Sequence, residues 1–158
     1  MRRARCTRPA FSLVELVLVL AILGVLAAVA APRYSASICN YRVTLAAHRV
    51  ASDVALVQAA ARAASASRAL TFDLVHSQYT VGGVAALDGA AGGYTVVLAA
   101  QPYAVSLKSA SFTNAAANGT ITFNGYGTPD GGATIVVSTG SYTRTVAVDA
   151  ATGAATVQ

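Results

Sequence analysis

The sequence is poor in the residues that enzymes and metal sites need. Its 158 residues include two cysteines, two histidines and one glutamate, with no tryptophan. The cysteines and histidines lack the spacing of a zinc site, and the glycine pairs do not form a phosphate-binding loop ahead of a helix. His48 and His76, with Asp53 and Asp73 nearby in the sequence, are the one set open to acid–base chemistry. Because lone histidines near turns are commonly solvated, we predict no catalysis, no metal and no cofactor.

The positive charge is concentrated at the N-terminus. The net charge is +5, but Arg2, Arg3, Arg5 and Arg8 supply four of the eleven basic residues. Without these four, seven basic residues face six acidic ones, which leaves +1. The basic isoelectric point therefore indicates membrane topology and not nucleic-acid binding.

Residues 11–31 form the one long apolar run of the chain, interrupted by Ser12 and Glu15 and followed by Pro32. A membrane-spanning helix needs about 20 apolar residues. The arginines ahead of the run lie where the positive-inside rule places cytoplasmic charge. We therefore expect a membrane protein with a single span, a cytoplasmic N-terminus and an exported C-terminal part.

Glu15 is the anomaly in this run, because it is the only glutamate of the protein. A carboxylate at the bilayer centre costs about 2.5–3.5 kcal/mol even on the lenient insertion scale, so such residues are functional candidates. A buried carboxylate also needs a cationic partner. The sequence has no other charge between Arg8 and Arg33.

Ala10-Phe11-Ser12-Leu13-Val14-Glu15 resembles the signal sequence of type IV pilins and type II secretion pseudopilins. The resemblance implies that prepilin peptidase cuts between Ala10 and Phe11 and that the new amine of Phe11 is methylated. It makes Glu15 the carboxylate that meets the N-terminus of a neighbouring subunit during filament assembly. Gly24 and Pro32 lie where such helices usually carry a glycine and a proline that kink the helix. In the family the residue before the cut is usually glycine, whereas here it is Ala10.

Two simpler interpretations of the N-terminus stay open. An ordinary secretory signal peptide would be cut after Ala30, in Ala28-Val29-Ala30. A plain signal anchor would hold an exported binding module in the membrane without any filament. Both leave Glu15 without a purpose, and the helical pattern continues past Ala30.

Residues 33–65 are predicted to continue the helix as an amphipathic half. One apolar stripe includes Tyr34, Ile38 and Tyr41, and charges such as Arg49 and Asp53 stand four positions apart. A second stripe runs alongside the first and consists of Val43, Ala47, Val50, Val54 and Val57. Because these stripes cannot face water, we expect the rest of the chain to cover them.

From residue 66 onward, alternating Val, Thr, Tyr and Ile with glycine-rich turns predict β-strands. Asn118-Gly119, Asp130-Gly131-Gly132 and Thr152-Gly153 are the turn signals. The expected class is α+β, with the long helix packed on one antiparallel sheet, as in pilins. The predicted strands are 69–75, 78–82, 94–99, 103–108, 120–124, 133–138, 142–148 and 154–157.

The C-terminal third resembles the end of GspH/FimT-type minor pseudopilins and minor pilins. The matching positions are Ile121, Phe123, Gly125, Gly132, Arg144, Val146, Val148 and Gly153. This resemblance implies a minor subunit of a secretion pseudopilus or of a pilus, with other pilin subunits and an inner-membrane assembly platform as partners.

Two properties of similar proteins have little support in this sequence. FimT-like minor pilins are linked to DNA uptake through basic residues, but after Arg68 the chain has only Lys108 and Arg144, so we do not expect nucleic-acid binding. Calcium needs clustered oxygen ligands, whereas Asp130 and Asp149 stand apart in the sequence.

The expected organisation has four parts: leader 1–10, membrane and filament-core helix 11–32, amphipathic helix 33–65 and β-rich periplasmic domain 66–158. If the leader is removed, Cys6 goes with it and Cys39 is left without an intrachain partner. Cys39 is then either a small buried side chain or an intermolecular bridge.

Overall fold

The computed structural model describes residues 11–85, 93–114 and 119–158. The expectations for the leader 1–10, including Ala10 and Cys6, lie outside the described residues, as does Asn118 of one predicted turn. The chain divides into two compact units, Met1–Ser37 and Ile38–Gln158.

Helix α1 runs from Leu13 to Ala64 and has 52 residues, with Pro32 inside it. The alanine-rich segment before Ala64 favours helix strongly. The helix ends where Ser65 adopts the left-handed conformation, with φ 48°. There the amide of Ala66 donates to the carbonyl oxygen of Ala61 over 3.2 Å, which satisfies one of the last helical carbonyls.

In the described part of the chain, eight strands follow the helix, at or near each of the eight predicted positions. Their bounds are β1 (Arg68–Asp73), β2 (Gln78–Val81), β3 (Tyr94–Val97), β4 (Ser106–Phe112), β5 (Thr120–Phe123), β6 (Ala133–Thr139), β7 (Tyr142–Val148) and β8 (Ala155–Val157).

The strands form two antiparallel sheets of four strands each, where the sequence predicted one sheet. The first sheet has the order β3-β2-β1-β5 and the second has the order β4-β6-β7-β8. Periodicity shows which face of a strand is buried but not which strands pair. The division therefore depends on long-range pairs such as Leu70 with Ile121 in the first sheet.

The fourth strand begins at Ser106, three residues later than predicted. Tyr103-Ala104-Val105 alternates like a strand, but Ala104 is left-handed with φ 50° and its amide donates to the carbonyl of Ala100 over 2.9 Å. This segment is therefore a turn. In compensation, β4 extends to Phe112 and contains a register shift between Leu107 and Ser109.

The core of the second unit lies between the C-terminal half of α1 and the sheets. The predicted valine stripe is fully buried there, together with inward-facing residues of both sheets, such as Leu70, Tyr79 and Ile135. The other predicted stripe stays partly in solvent, with Tyr41 67% exposed. The buried positions on the helix are Val43, Ala46, Ala47, Val50, Asp53, Val54, Val57 and Ala61.

Near its C-terminal end, α1 forms hydrogen bonds to one loop of each sheet. The Gln58 amide donates to the carbonyl of Gly127, in the loop after β5, and to the carbonyl of Thr152, between β7 and β8, over 2.8 and 2.6 Å. Gly153 lies beside this contact with φ 71°. A Cβ there would come within 2.7 Å of the Gln58 amide nitrogen and 2.8 Å of the Phe123 ring, so the approach requires glycine.

Candidate functional site

The start of α1 has a polar cap made by the residues of the predicted signal. Ser12 Oγ accepts a hydrogen bond from the amide of Glu15 over 3.2 Å, and Ser12 O accepts from the amide of Leu16 over 3.2 Å. Ser12 and Glu15 have the Ser-x-x-Glu spacing of a capping box. The carboxylate therefore lies in the first helical turn, where the helix dipole favours a negative charge.

Glu15 has no cationic partner in the part of the chain that the structure describes. The ion pairs among the described residues are Arg49 with Asp53 and His76 with Asp73, and neither includes Glu15. Counted from the sequence, the next described basic residue is Arg33, 18 positions later, which is about 27 Å along a helix. A charge partner for Glu15 must therefore come from outside the described residues.

Apolar side chains surround Glu15, and they are exposed along the whole first part of the helix. Every residue from Phe11 to Ser35 is classed as exposed, with Phe11 81% accessible. Among the described residues, one helix, α1, contains a segment that is long and apolar enough to cross a membrane. None of that segment is buried. Such a large apolar surface marks a site of contact with lipid or protein.

Gly24 and Pro32 lie within this exposed segment. An added Cβ at Gly24 would meet nothing within 4 Å, so no contact among the described residues requires a glycine there. Pro32 cannot donate a helical hydrogen bond, and its own carbonyl accepts from Ser35 Oγ over 2.9 Å. The kink expected at these two residues stays a prediction.

A second polar feature lies on the buried face of the amphipathic half. Asp53, 3% exposed, accepts hydrogen bonds from Tyr79 Oη at 2.5 Å and from Tyr94 Oη at 2.8 Å. It also accepts from Arg49 Nε at 3.1 Å, which confirms the predicted pair. A second nitrogen of the Arg49 guanidinium bonds the Tyr94 hydroxyl. The carboxylate is thus satisfied by two strands and its own helix.

This environment holds both tyrosines in the neutral form. Burial raises the pKa of Tyr79 far above its usual value, and the hydrogen bond to Asp53 raises it further. The same two causes, in the same order, raise the pKa of Tyr94 to about 12. A tyrosinate would place a second negative charge beside the buried Asp53 carboxylate.

Sequence reasoning found the Arg49–Asp53 pair but missed Tyr79 and Tyr94. The available signal was that Asp53 stands within the valine stripe, next to Val54. A charged residue on a buried face needs partners, and the inward positions of nearby strands offered tyrosine hydroxyls. Periodicity alone could not assign which strands approach the helix.

The remaining candidate residues are scattered. His48 is exposed on α1, while His76 lies in a turn where its Nδ1 is 2.6 Å from Asp73 Oδ2. Hydrogen bonds from the side chain and the amide of His76 lower the pKa of Asp73. Cys39 is half-buried. No three His, Cys, Asp or Glu side chains within the described ranges are grouped to hold a metal.

The residues that matched the minor-subunit pattern have structural contacts. Arg144 on β7 donates to Asn40 Oδ1 on α1 over 3.1 Å, so it ties the second sheet to the helix. Gly125 passes close to the helix end, where a Cβ would be 2.7 Å from the carbonyl carbon of Ser65. Arg144 therefore joins the second sheet to α1, whereas Gly125 leaves room for its loop to pass close to the end of the helix.

Comparison with protein families finds the prokaryotic N-terminal methylation motif over residues 7–31. This segment contains Phe11, Glu15 and Gly24. The motif is the type IV pilin signal, and it extends into α1, the long helix whose second half packs on antiparallel sheets. Motif and fold together support a place for the chain in the type IV pilin family.

Among solved structures, two crystal forms of the type IV minor pilin FimU of Pseudomonas aeruginosa are similar. One is 13% identical with a TM-score of 0.50, covering 73% of this chain and 91% of FimU. The other is 15% identical with a TM-score of 0.49, covering 73% and 86%. At this identity the first likeness shows a shared fold and nothing more. A search of curated proteins found no match.

Proposed function

We propose that this protein is a structural subunit of a pilus or pseudopilus that is stored in the inner membrane and then built into a filament. The carrying observation is that every residue from Phe11 to Ser35 is exposed, that most of these residues are apolar, and that the methylation motif covers residues 7–31. Lipid covers this surface before assembly, and the helices of neighbouring subunits cover it afterwards. In both settings a partner outside the chain replaces water.

Assembly depends on Glu15. Cleavage between Ala10 and Phe11 by prepilin peptidase creates an amine, and methylation leaves that amine able to carry a positive charge. Within one helix the amine and Glu15 are about 6 Å apart along the axis. In a filament the amine of a neighbouring subunit meets the Glu15 carboxylate, and pairing lowers the cost of burying both charges.

The pairing of Glu15 with an amine would be the same in a secretion pseudopilus and in a pilus, so the partners decide between the two. The C-terminal pattern favours a minor subunit, and we propose that this subunit supports protein secretion. The assembly platform of the inner membrane and the other pilin subunits are the expected partners.

The processing step can be tested by coexpressing the full chain with a prepilin peptidase and determining its N-terminus by mass spectrometry. We expect a chain that begins at N-methylated Phe11. Omitting the peptidase is the control and should leave the leader in place. A mature chain that begins at Ala31 would instead identify a secretory signal peptide and contradict the proposal.

The role of Glu15 can be tested separately with Glu15→Gln, which keeps the size of the side chain and removes its charge. We expect membrane insertion to be unchanged and incorporation into sheared filaments to fall at least tenfold, about 1.4 kcal/mol. Val25→Ala, on the same exposed surface, is the matched control and should assemble. Normal incorporation of Glu15→Gln would refute the carboxylate–amine pairing.

A further inference from the structure

We propose that the outer edge of strand β3 binds an extended peptide segment of another protein that carries a carboxylate. This inference concerns the second compact unit and does not depend on filament assembly. It rests on three features: an open sheet edge, a cavity along that edge and one partly exposed guanidinium.

The hydrogen bonds between β3 and β2 show which N–H and C=O groups of β3 point away from the sheet. The amide of Leu98 donates to the carbonyl of Ser77, next to the pairs of β3 with β2. Because hydrogen-bonded pairs alternate in an antiparallel ladder, Val96 and Tyr94 continue this bonding toward β2. Thr95 and Val97 therefore point their N–H and C=O groups outward, where no described strand pairs with them.

A cavity of about 310 Å³ lies along this edge. All four residues of β3, Tyr94–Val97, line it, together with Arg49, Gln101 and Tyr103. Successive side chains of a strand point to opposite faces, so a cavity above one face would touch alternate residues. Contact with four in a row places it at the edge, where an added strand would run.

Two of the other sheet edges carry protection that β3 lacks. Strand β4 has Lys108 and the register shift beside it, and both devices discourage pairing. Strand β5 is covered, because Phe123 bridges Pro129 and the amide of Asp130 bonds the carbonyl of Thr122. Strand β8, the remaining edge, has only three residues, one fewer than β3. Strand β3 contains no charge, proline or shift.

The charge at this edge selects an acidic partner. The Arg49 side chain is 32% exposed, whereas the side chain of Asp53, its ion-pair partner, is 4% exposed. The positive charge therefore faces the cavity and the negative charge is hidden behind it. A guanidinium has five N–H donors, and the described contacts to Asp53 and Tyr94 leave donors for a carboxylate.

These features define the partner as a strand in an extended conformation. Its backbone would bond the outward groups of Thr95 and Val97, and a carboxylate on its helix-facing side would reach Arg49. Main-chain bonds supply affinity in such strand addition, and the alternate side chains supply specificity. The side chains on the other face would lie beside Thr95 and the 42% exposed Val97.

The test uses the full chain in detergent micelles and a fluorescent peptide of alternating threonine and valine with one central glutamate. A second peptide has glutamine in place of the glutamate. We expect anisotropy titration to show binding of the glutamate peptide and about tenfold weaker binding of the glutamine peptide. Equal binding of the two peptides, or binding of neither, would overturn the proposal.

The edge is tested with Val97→Pro, which removes an outward N–H, against Val97→Thr, which keeps it. We expect about tenfold weaker binding for the proline variant, unchanged binding for the threonine variant, and slower amide exchange at Thr95 and Val97 of the unmodified protein when peptide is bound. Unchanged exchange refutes the site even if Val97→Pro does not fold.

Two further outcomes have a defined meaning. Sedimentation that shows dimers dispersed by Val97→Pro, without peptide binding, would make a second copy the occupant and overturn the peptide proposal. Glu15→Gln should bind peptide normally, so loss of filament assembly and loss of peptide binding are distinguishable failures.

Discussion

The two halves of helix α1 have similar residues and opposite surroundings. From Phe11 to Ser35 every residue is exposed, whereas eight residues between Val43 and Ala61 are buried. Both halves are rich in valine and alanine, so composition alone does not explain the contrast. The second half has its partner within the chain, and the first half needs a partner that the described residues do not supply.

We expect the largest loss of stability from a substitution in the second half of α1, at the buried carboxylate of Asp53. Asp53→Ala leaves the Tyr79 and Tyr94 hydroxyls and the Arg49 guanidinium without their acceptor. We expect the free energy of unfolding to fall by about 3 kcal/mol, near the lower end for a buried pair because Arg49 is partly exposed. Urea titration of the full chain in micelles measures this, and Glu15→Ala is the control that should leave the value unchanged. An equal loss in both variants would contradict the contrast.

The same truncation made in both halves sharpens the comparison. Val54 is fully buried and Val25 is 67% exposed. We expect Val54→Ala to destabilise the second unit by about 2 kcal/mol through lost burial and a small cavity. Val25→Ala should change the unfolding midpoint by less than the error of the titration. Similar effects of the two substitutions would mean that the second unit does not bury its helix as described.

A smaller effect is expected where the C-terminal loops meet the helix. Gly153→Ala places a Cβ at a positive φ and against Gln58 and Phe123, so we expect a loss of about 1.5 kcal/mol. Gly140→Ala is the control for the φ term, because Gly140 also has positive φ but an added Cβ there meets nothing within 4 Å. Equal losses would assign the effect to φ alone.

The smallest effect concerns pH. The folded-state pKa of Tyr94, about 12, exceeds that of an unfolded tyrosine, about 10. The folded state therefore keeps its proton longer, and this contribution to stability is complete below about pH 10 and is lost as the pH rises toward 12. Unfolding midpoints at about pH 9 and pH 11 should differ less in Tyr94→Phe than in the unmodified protein. An identical pH dependence would show that Tyr94 does not titrate between these values.

Much of the fold could be predicted, because its elements depend on local patterns. The helix, the eight strands and the buried valine stripe follow from periodicity in the sequence. The division into two sheets could not be predicted, since alternation in a strand such as β7 shows its faces and not its neighbours. The late start of β4 was missed because Ala104 is an ordinary residue in a left-handed turn.

The candidate site divides in the same way. Glu15 could be named from the sequence because a charge in an apolar run is a local anomaly, whereas Phe11 was named only through the resemblance to pilin signals. The roles of both residues remain a proposal. The contacts of Asp53 could not be named, since Tyr79 and Tyr94 are 26 and 41 positions away. Local anomalies are visible in a sequence, whereas the groups that resolve them come from the fold.

The position of Gln58 has a mechanical consequence. Its one amide group holds a loop of the first sheet and a hairpin of the second. A pull along the second half of α1 would therefore load both hydrogen bonds together, so the force would reach the two sheets at the same moment. Gln58 shares this load with the Arg144–Asn40 hydrogen bond and with the buried valine stripe, so no single side chain carries the traction.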